Sequence, residues 1–171
     1  AASLLKKYGI EENYEAYSYV AKGEYIKSNL ENIVIPNGTV SIEKDAFKFY
    51  DKMKSITIPD SVTSIGDSAF YQCSALESVV IGNGVTNIGE RAFSSCKNLK
   101  TVVIGNNVVS IGDRAFTYCE SLTAIAIPDS VTDMGEYVFQ FCYNLSDVTI
   151  GDGVTSINNS FNGCNKLKNI V

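Results

Sequence analysis

Apolar residues recur along this chain at a fixed interval of 23 positions. The clearest set is a phenylalanine that returns every 23 residues and, at the last step, after 22: Phe47, Phe70, Phe93, Phe116, Phe139 and Phe161. Leucine or methionine, isoleucine and cysteine keep the same interval: Leu30, Met53, Leu76, Leu99, Leu122, Leu145 and Leu167; Ile35, Ile58, Ile81, Ile104, Ile127 and Ile150; Cys73, Cys96, Cys119, Cys142 and Cys164. Such self-similarity indicates an array of like units that bury their apolar faces by stacking.

The pattern within one unit predicts its local structure. Residues 76–81 read L-x-x-V-x-I, which predicts a short strand with Leu76, Val79 and Ile81 turned inward. A turn follows at 82–84, and residues 85–88 predict a second, shorter strand. Residues 90–93 then suit a single helical turn on the outer side. Between the second strand and this turn stands a glycine in four successive units, which predicts a positive φ there: Gly66, Gly89, Gly112 and Gly135.

Stacked units of this kind form parallel strand ladders about 4.8 Å apart. The sequence therefore predicts a mainly β, single-domain solenoid over 30–171, with six coils and the first strand of a seventh. Residues 1–29 fall outside the repeat and hold five of the ten tyrosines. We interpret them as an N-terminal cap, and an aromatic binding surface is the alternative. The array stops one strand into its seventh coil, which favours either a longer natural chain or self-association through the open C-terminal coil.

The units resemble a known family. The segment from Cys73 to Phe93, CSALESVVIGNGVTNIGERAF, and the phrase IPDSVTSIGDSAF from Ile58 to Phe70 are similar to the BspA-type leucine-rich repeat. The resemblance implies a right-handed solenoid found largely in bacterial surface proteins and in some protozoan ones. It also implies adhesion or binding to host proteins, with no catalytic residues. Two departures from the pattern are the sixth coil, one residue short at 158–161, and Glu43 in place of the usual glycine.

Composition narrows the possible functions. The 14 basic and 19 acidic residues give a net charge of −5, and the estimated pI is 4.7, which argues against nucleic-acid binding. No apolar run is long enough for a transmembrane segment, and residues 1–20 lack the pattern of a signal peptide. The chain has no histidine, which excludes Ser-His-Asp and Cys-His catalysis and histidine-ligated zinc. We expect neither enzymatic activity nor a cofactor nor a metal site.

Two repeated polar or reactive positions have structural explanations. The cysteines form no C-x-x-C pair and point into one packed row, so we expect buried free thiols rather than disulfides or zinc ligands. A short polar side chain follows every principal strand and predicts a turn in which it accepts a hydrogen bond from the backbone N–H two residues on. A calcium ladder is the rival interpretation, but half of the set is asparagine: Asn37, Asp60, Asn83, Asn106, Asp129 and Asp152.

The strand pattern also predicts where a partner binds. Residues between the inward positions face outward, on the concave side of the expected solenoid. We predict these as the partner-binding residues: Asn32, Val34, Ser55, Thr57, Ser78, Val80, Thr101, Val103, Ala124, Ala126, Asp147 and Thr149. The rival surface is the aromatic-rich outer turn: Lys48, Phe49, Tyr50, Tyr71, Gln72, Tyr118, Tyr137, Phe141 and Tyr143.

These features together predict a non-enzymatic protein-interaction module. We expect it to be the adhesive or recognition part of a cell-surface or secreted protein, with a protein ligand such as a host extracellular or surface protein. The alternative is a structural spacer in a larger surface protein whose other domains carry the binding.

Overall fold

The chain folds into stacked coils of short parallel strands. A computed structural model describes Glu31 and residues 33–171, so the predicted cap over 1–29, Leu30 and Asn32 lie outside the described residues. The strands within that part are β1 (Ser41–Ile42), β2 (Ser55–Ile58), β3 (Ser64–Ile65), β4 (Ser78–Ile81), β5 (Asn87–Ile88), β6 (Thr101–Val103), β7 (Ser110–Ile111), β8 (Ala124–Ile127), β9 (Asp133–Met134), β10 (Asp147–Ile150) and β11 (Asn169–Ile170).

Coils two to five each contribute one principal strand and one shorter strand to separate sheets, whereas the first coil contributes only β1 and the sixth only β10. The principal strands form two sheets, β2-β4-β6 and β8-β10-β11, and the shorter strands form a third, β1-β3-β5-β7-β9. All pairs are parallel, and the register advances by 23 residues, as in Ser55↔Ser78 and Ser78↔Thr101, except between β10 and β11, where it advances by 22. The predicted mainly β solenoid of about six turns is confirmed, with its period and its parallel strands.

A continuous stack of phenylalanine rings fills the interior. Ring centroids lie 4.9 Å apart between Phe70 and Phe93 and 5.2 Å apart between Phe93 and Phe116, with the rings nearly parallel. The stack extends from Phe47 to Phe161, where the last separation is 5.7 Å. Aromatic contacts of this kind add about 0.5–1.5 kcal/mol each beyond the burial of apolar area. The phenylalanine column is therefore a principal source of stability in the array.

The predicted helical turn on the outer side is wrong. In the first coil Asp45 and Phe49 have positive φ values, 59° and 62°, and an α-helix cannot pass through such residues. Backbone N–H groups alternate between local and inter-coil acceptors: Lys48 donates to the carbonyl of Asp45 at 3.2 Å, whereas Phe49 donates to that of Tyr71 at 2.7 Å. Two columns of left-handed residues result: Asp45, Ser68, Arg91, Arg114, Tyr137 and Asn159; Phe49, Gln72, Ser95, Tyr118, Phe141 and Gly163.

The glycines after the short strands serve a purpose other than the predicted one. Among the described residues only Gly38 and Gly163 are glycines with positive φ. A Cβ atom built on Gly89 would lie 2.6 Å from the backbone nitrogen of Asp67 in the preceding coil. Glycine is needed there because two coils approach too closely for any side chain.

The two departures in the sequence lie at the two ends of this glycine column. Glu43 stands in the first coil of the repeat, and residues 1–29, which precede that coil, lie outside the described part of the chain. Asn158 stands above Gly135, where its side chain must be accommodated against the preceding coil, and its φ is 38°. The short-strand sheet ends at β9, one coil earlier, and Ile157 is left exposed.

The polar column after the principal strands bonds between coils and not within a turn. The backbone N–H of Asn83 donates to the Asp60 carboxylate at 2.7 Å, and the N–H of Asn106 donates to the Asn83 amide oxygen at 2.8 Å. The predicted acceptor is correct, but the predicted donor two residues on is wrong. Asp60, Asn83 and Asp129 each tie their own coil to the next one in this way, because equivalent residues lie directly above one another.

From β2 to β11 the principal-strand ladder is interrupted at one point, between β6 and β8. The short-strand pair β7-β9 and the stack of Phe116 on Phe139 continue across the same level. In the part of the chain that the structure describes, no helix has the length and apolar character needed to cross a membrane.

Candidate functional site

The predicted partner-binding residues lie side by side on the outward face of the principal strands. Asn32 is outside the described residues, and Val34 lies in an extended segment that precedes β1. The others alternate with buried residues along the strands, and all are exposed except Ser78, which is half-buried. We call this the strand face; its described members are Val34, Ser55, Thr57, Ser78, Val80, Thr101, Val103, Ala124, Ala126, Asp147 and Thr149.

The strand face consists of two parallel rows of different character. Val80 and Val103 are register partners, 41% and 56% exposed, and Val34 in the first coil is 61% exposed. This row presents mostly β-branched side chains to solvent. The neighbouring row is small and polar, from Ser55 at β2 to Asp147 at β10. The interruption between β6 and β8 divides both rows into two patches.

Asp147 is the one carboxylate among the predicted residues. It accepts a hydrogen bond from the Ser146 hydroxyl at 2.5 Å and another from the Asn169 amide at 2.7 Å. These bonds, first that of Ser146 and then that of Asn169, lower the pKa of Asp147 below its usual value, and the nearby Lys168 charge adds to the effect. The carboxylate is therefore fixed in position in the coil that precedes β11.

The outer turn carries the second set of exposed aromatic residues. Tyr118 stacks on Phe141 with the ring centroids 4.8 Å apart, and Phe141 is 6.0 Å from Tyr143. At the opposite end, Phe49 meets Tyr71 edge-on at 5.6 Å. Tyr50 differs from the others of this set because it is fully buried in the position that cysteine fills in later coils. The outer turn thus presents two separate aromatic clusters.

All five cysteines are free and buried, as predicted. Each thiol also donates a hydrogen bond to a phenylalanine carbonyl of the preceding coil, as in Cys96 to Phe70 at 3.2 Å and Cys164 to Phe139 at 3.2 Å. Burial raises the pKa of Cys164 to about 12. No cluster of three or more acidic or cysteine side chains suited to a metal ion occurs among the described residues.

Sequence reasoning missed an open polar groove of about 550 Å³ at the amino-terminal ends of the later principal strands. Its lining is Lys100, Ser121, Thr123, Asn144, Ser146, Lys166 and Lys168. Lys100 bonds to Glu77 at 2.7 Å, and that hydrogen bond lowers the pKa of Glu77. The signal that could have revealed the groove is a charge alternation, Glu-Lys-Glu-Lys, which ends at Thr123.

Solved structures with the same architecture come from bacteria. A leucine-rich repeat protein from Bacteroides ovatus is 35% identical, with a TM-score of 0.75, over 85% of this chain and 41% of that protein. A leucine-rich cell surface protein from Faecalibacterium prausnitzii is 30% identical, with a TM-score of 0.72, over 86% and 48%. The T. pallidum leucine-rich repeat protein is 25% identical, with a TM-score of 0.70, over 86% and 71%. The chain therefore spans less than half of the first two proteins.

A comparison with curated proteins gives no significant match. The family model described as the BspA type leucine-rich repeat region matches residues 18–146 and 98–171, with six copies. These matches cover most of the chain and agree with the parallel coils and the 23-residue register. The chain belongs to the BspA-type leucine-rich repeat family.

Proposed function

We propose that this chain is a non-enzymatic protein-interaction module, the recognition or adhesive part of a cell-surface or secreted protein. Its family is typical of surface proteins, and the similar protein from F. prausnitzii is described as a cell surface protein. The partner in this proposal is a host extracellular or surface protein, and the binding residues are those of the strand face together with Asn32.

The observation that carries the proposal is the row of exposed β-branched residues on the strand face. Val80 and Val103 lie beside one another on paired strands and expose about half of their surface. Exposed apolar side chains that lie together, with a polar row alongside, are typical of protein-binding surfaces. Within each of the two patches the paired strands hold this row in place, which lowers the entropy cost of binding.

Paired substitutions test this assignment. The V80E/V103E variant places two carboxylates in the row, and the V40E/V109E variant makes the same changes at valines that are 64% and 45% exposed but lie outside the strand face. We expect extracellular-matrix or serum proteins to bind at physiological salt, with at least a tenfold loss in V80E/V103E and less than a twofold change in V40E/V109E. Equal losses in both variants would contradict the strand face as the binding surface.

The alternative function is a structural spacer within a longer surface protein. In favour of it, the strand face lacks the Trp, Tyr and Arg side chains that dominate binding energy in most interfaces. A spacer predicts no binding across the same protein panel. Self-association through β11 is the remaining part of the proposal, because β11 is the edge strand of its sheet and Ile170 is 49% exposed. A mass that rises with concentration in light scattering would support it, and a monomer at all concentrations would contradict it.

A further inference from the structure

The groove at the amino-terminal ends of the principal strands coincides with an irregularity in the repeat. One position in each coil, directly before the principal strand, alternates in charge through the first four coils: Glu31, Lys54, Glu77 and Lys100. These residues pair between coils, Lys54 with Glu31 at 2.9 Å and Lys100 with Glu77 at 2.7 Å. The next residues of the column are Thr123, Ser146 and Lys168. The carboxylate that would continue the alternation is missing from coil five.

The backbone is also irregular at this point. Throughout the other described coils the residue in this column donates its N–H to its counterpart one coil earlier, as Lys100 does to Glu77 at 2.8 Å and Ser146 does to Thr123 at 2.9 Å. Among the described residues, no such bond joins the Thr123 N–H to the Lys100 carbonyl. The interrupted ladder thus leaves a donor and an acceptor of the main chain at the wall of the groove.

The neighbouring column shows a matching change. Asn98 and Asn144 each donate a side-chain amide to a carbonyl of the preceding coil, at 2.8 Å and 2.7 Å. Ser121 occupies the same position in coil five, and there the backbone N–H itself donates to the Lys97 carbonyl at 3.1 Å. At Ser121 a backbone N–H therefore makes the inter-coil hydrogen bond that an asparagine side chain makes at Asn98 and Asn144. Ser121 precedes β8, the principal strand that does not pair with β6.

The groove has the chemistry of a site for a polar, negatively charged ligand. Lys100 lies at one end and Lys166 and Lys168 at the other, about 14 Å apart as three steps of about 4.8 Å. Hydroxyl and amide groups line the space between them, and the lining contains neither a carboxylate nor an aromatic side chain. The ion pair of Glu77 with Lys100 is exposed, so it is weak and exchangeable in water, and Asp147 lies near Lys168 but takes its hydrogen bonds from Ser146 and Asn169.

We propose that this groove binds an acidic oligosaccharide. The ligand's carboxylate or sulfate groups contact the lysines at the two ends, and its hydroxyl groups pair with Ser121, Thr123 and the unpaired main-chain groups. A nucleic acid does not fit, because the groove offers no ring for base stacking. An added peptide strand does not fit either, since β6 and β8 remain neighbours with no room for a strand between them. The site is independent of the strand face and does not rest on the proposed protein partner.

Calorimetry with defined oligosaccharides tests the proposal on the whole chain at 150 mM NaCl. The probes are an oligogalacturonate hexamer, a heparin hexasaccharide, neutral maltohexaose and a hexaglutamate peptide. We expect at least one acidic saccharide to bind and maltohexaose not to bind. Binding of only the first identifies carboxylate recognition, binding of only the second identifies sulfate recognition, and either result supports the site.

Variants with matched controls locate the binding. K166Q/K168Q removes two charges from the groove, and K44Q/K52Q removes two charges from the first two coils. T123E restores the missing carboxylate beside Lys100, and T123Q has the same size without the charge. Because these positions are exposed, the circular dichroism spectra should match that of the parent. We expect at least a tenfold weaker affinity in K166Q/K168Q and T123E, and less than a threefold change in both controls.

Four outcomes would overturn the proposal. They are no binding of either acidic saccharide at millimolar concentration, equal binding of maltohexaose, tighter binding of hexaglutamate than of any saccharide, and equal weakening by the groove and control variants. None of them bears on the strand face, since Val80 and Val103 are unchanged throughout.

Discussion

Substitution of Gly89 distinguishes two reasons for a glycine at this position, which are the close packing of two coils and a requirement for positive φ. Its φ is not positive, and a Cβ atom there would lie 2.6–2.7 Å from the backbone of Asp67 and Gly66. Two of the three nearest atoms belong to the main chain and the third is Oδ1 of Asp67, so rotation of the Asp67 side chain alone does not relieve the strain and the two coils must move apart. Overpacking of this kind costs about 1–3 kcal/mol. Separation of the coils also weakens the bond from Gly89 N–H to the Ile65 carbonyl, 2.8 Å long, worth about 1 kcal/mol.

The expected loss for G89A is therefore about 2–4 kcal/mol of unfolding free energy. In a chain of this length that lowers the melting temperature by about 4–16 °C. Thermal melts followed by far-ultraviolet circular dichroism measure it directly. G89N should be at least as unstable as G89A, because any side chain meets the same backbone atoms.

Gly38 provides the matched control. Its φ is +95° and no atom lies within 4 Å of the position that a Cβ atom would take, so only the backbone conformation opposes substitution there. G38A should cost about 1–2 kcal/mol, and G38N less, because asparagine tolerates positive φ better than alanine. The reasoning is refuted if G89N is close to the parent in stability while G89A is not. Asparagine would then be tolerated better than alanine, which is the result expected if position 89 required a positive φ.

Two further predictions concern the buried columns. F93A should lose about 3–5 kcal/mol of unfolding free energy. F161A, at the partly exposed end of the stack, should lose only about 1–2 kcal/mol. Equal shifts of the urea midpoint in the two variants would contradict a stack whose contribution to stability depends on burial. The pKa of Cys164 is raised from 9.0 to about 12, so the folded chain holds this proton where the unfolded chain has released it, and stability should fall as pH rises from 9 towards 12. Over that pH range the denaturation midpoint of C164A should decline less steeply than that of the parent. Tyrosine side chains also titrate in this range, but the ten tyrosines are common to both proteins. Identical declines would argue against a raised pKa of Cys164.

Much of this fold can be predicted from the sequence because every coil must bury apolar side chains at the same positions. The alternation in 76–81 sets which side chains face inward, and the phenylalanine interval sets the register between coils. Both follow from burial, which acts on residue type and is therefore visible in a single sequence. The outward position of the strand-face residues follows from the same alternation.

The features that sequence reasoning missed depend on backbone conformation and on contacts between coils. Nothing in the side chain of Arg91 indicates a positive φ, because residues other than glycine seldom adopt it, so residues 90–93 look like one helical turn. From the sequence alone, Gly89 could be required either for a positive φ or for a close approach of two coils. Only the position of Asp67 in the structure shows that the close approach is the reason. To predict the groove, one must know that Thr123 stands beside Lys100. The 23-residue register implies this, but the position draws attention only when the charge alternation is followed through every coil.

The interruption between β6 and β8 has a mechanical consequence. On one side of the solenoid the short-strand pair β7-β9 and the rings of Phe116 and Phe139 run across this level unbroken. On the other side no ladder of strand hydrogen bonds resists separation. A rod built in this way is stiff along most of its length and compliant at one joint, and it bends so that the principal-strand side opens. Pulling forces on such a rod would be taken up first at the joint, between coils four and five, while each half keeps its own shape.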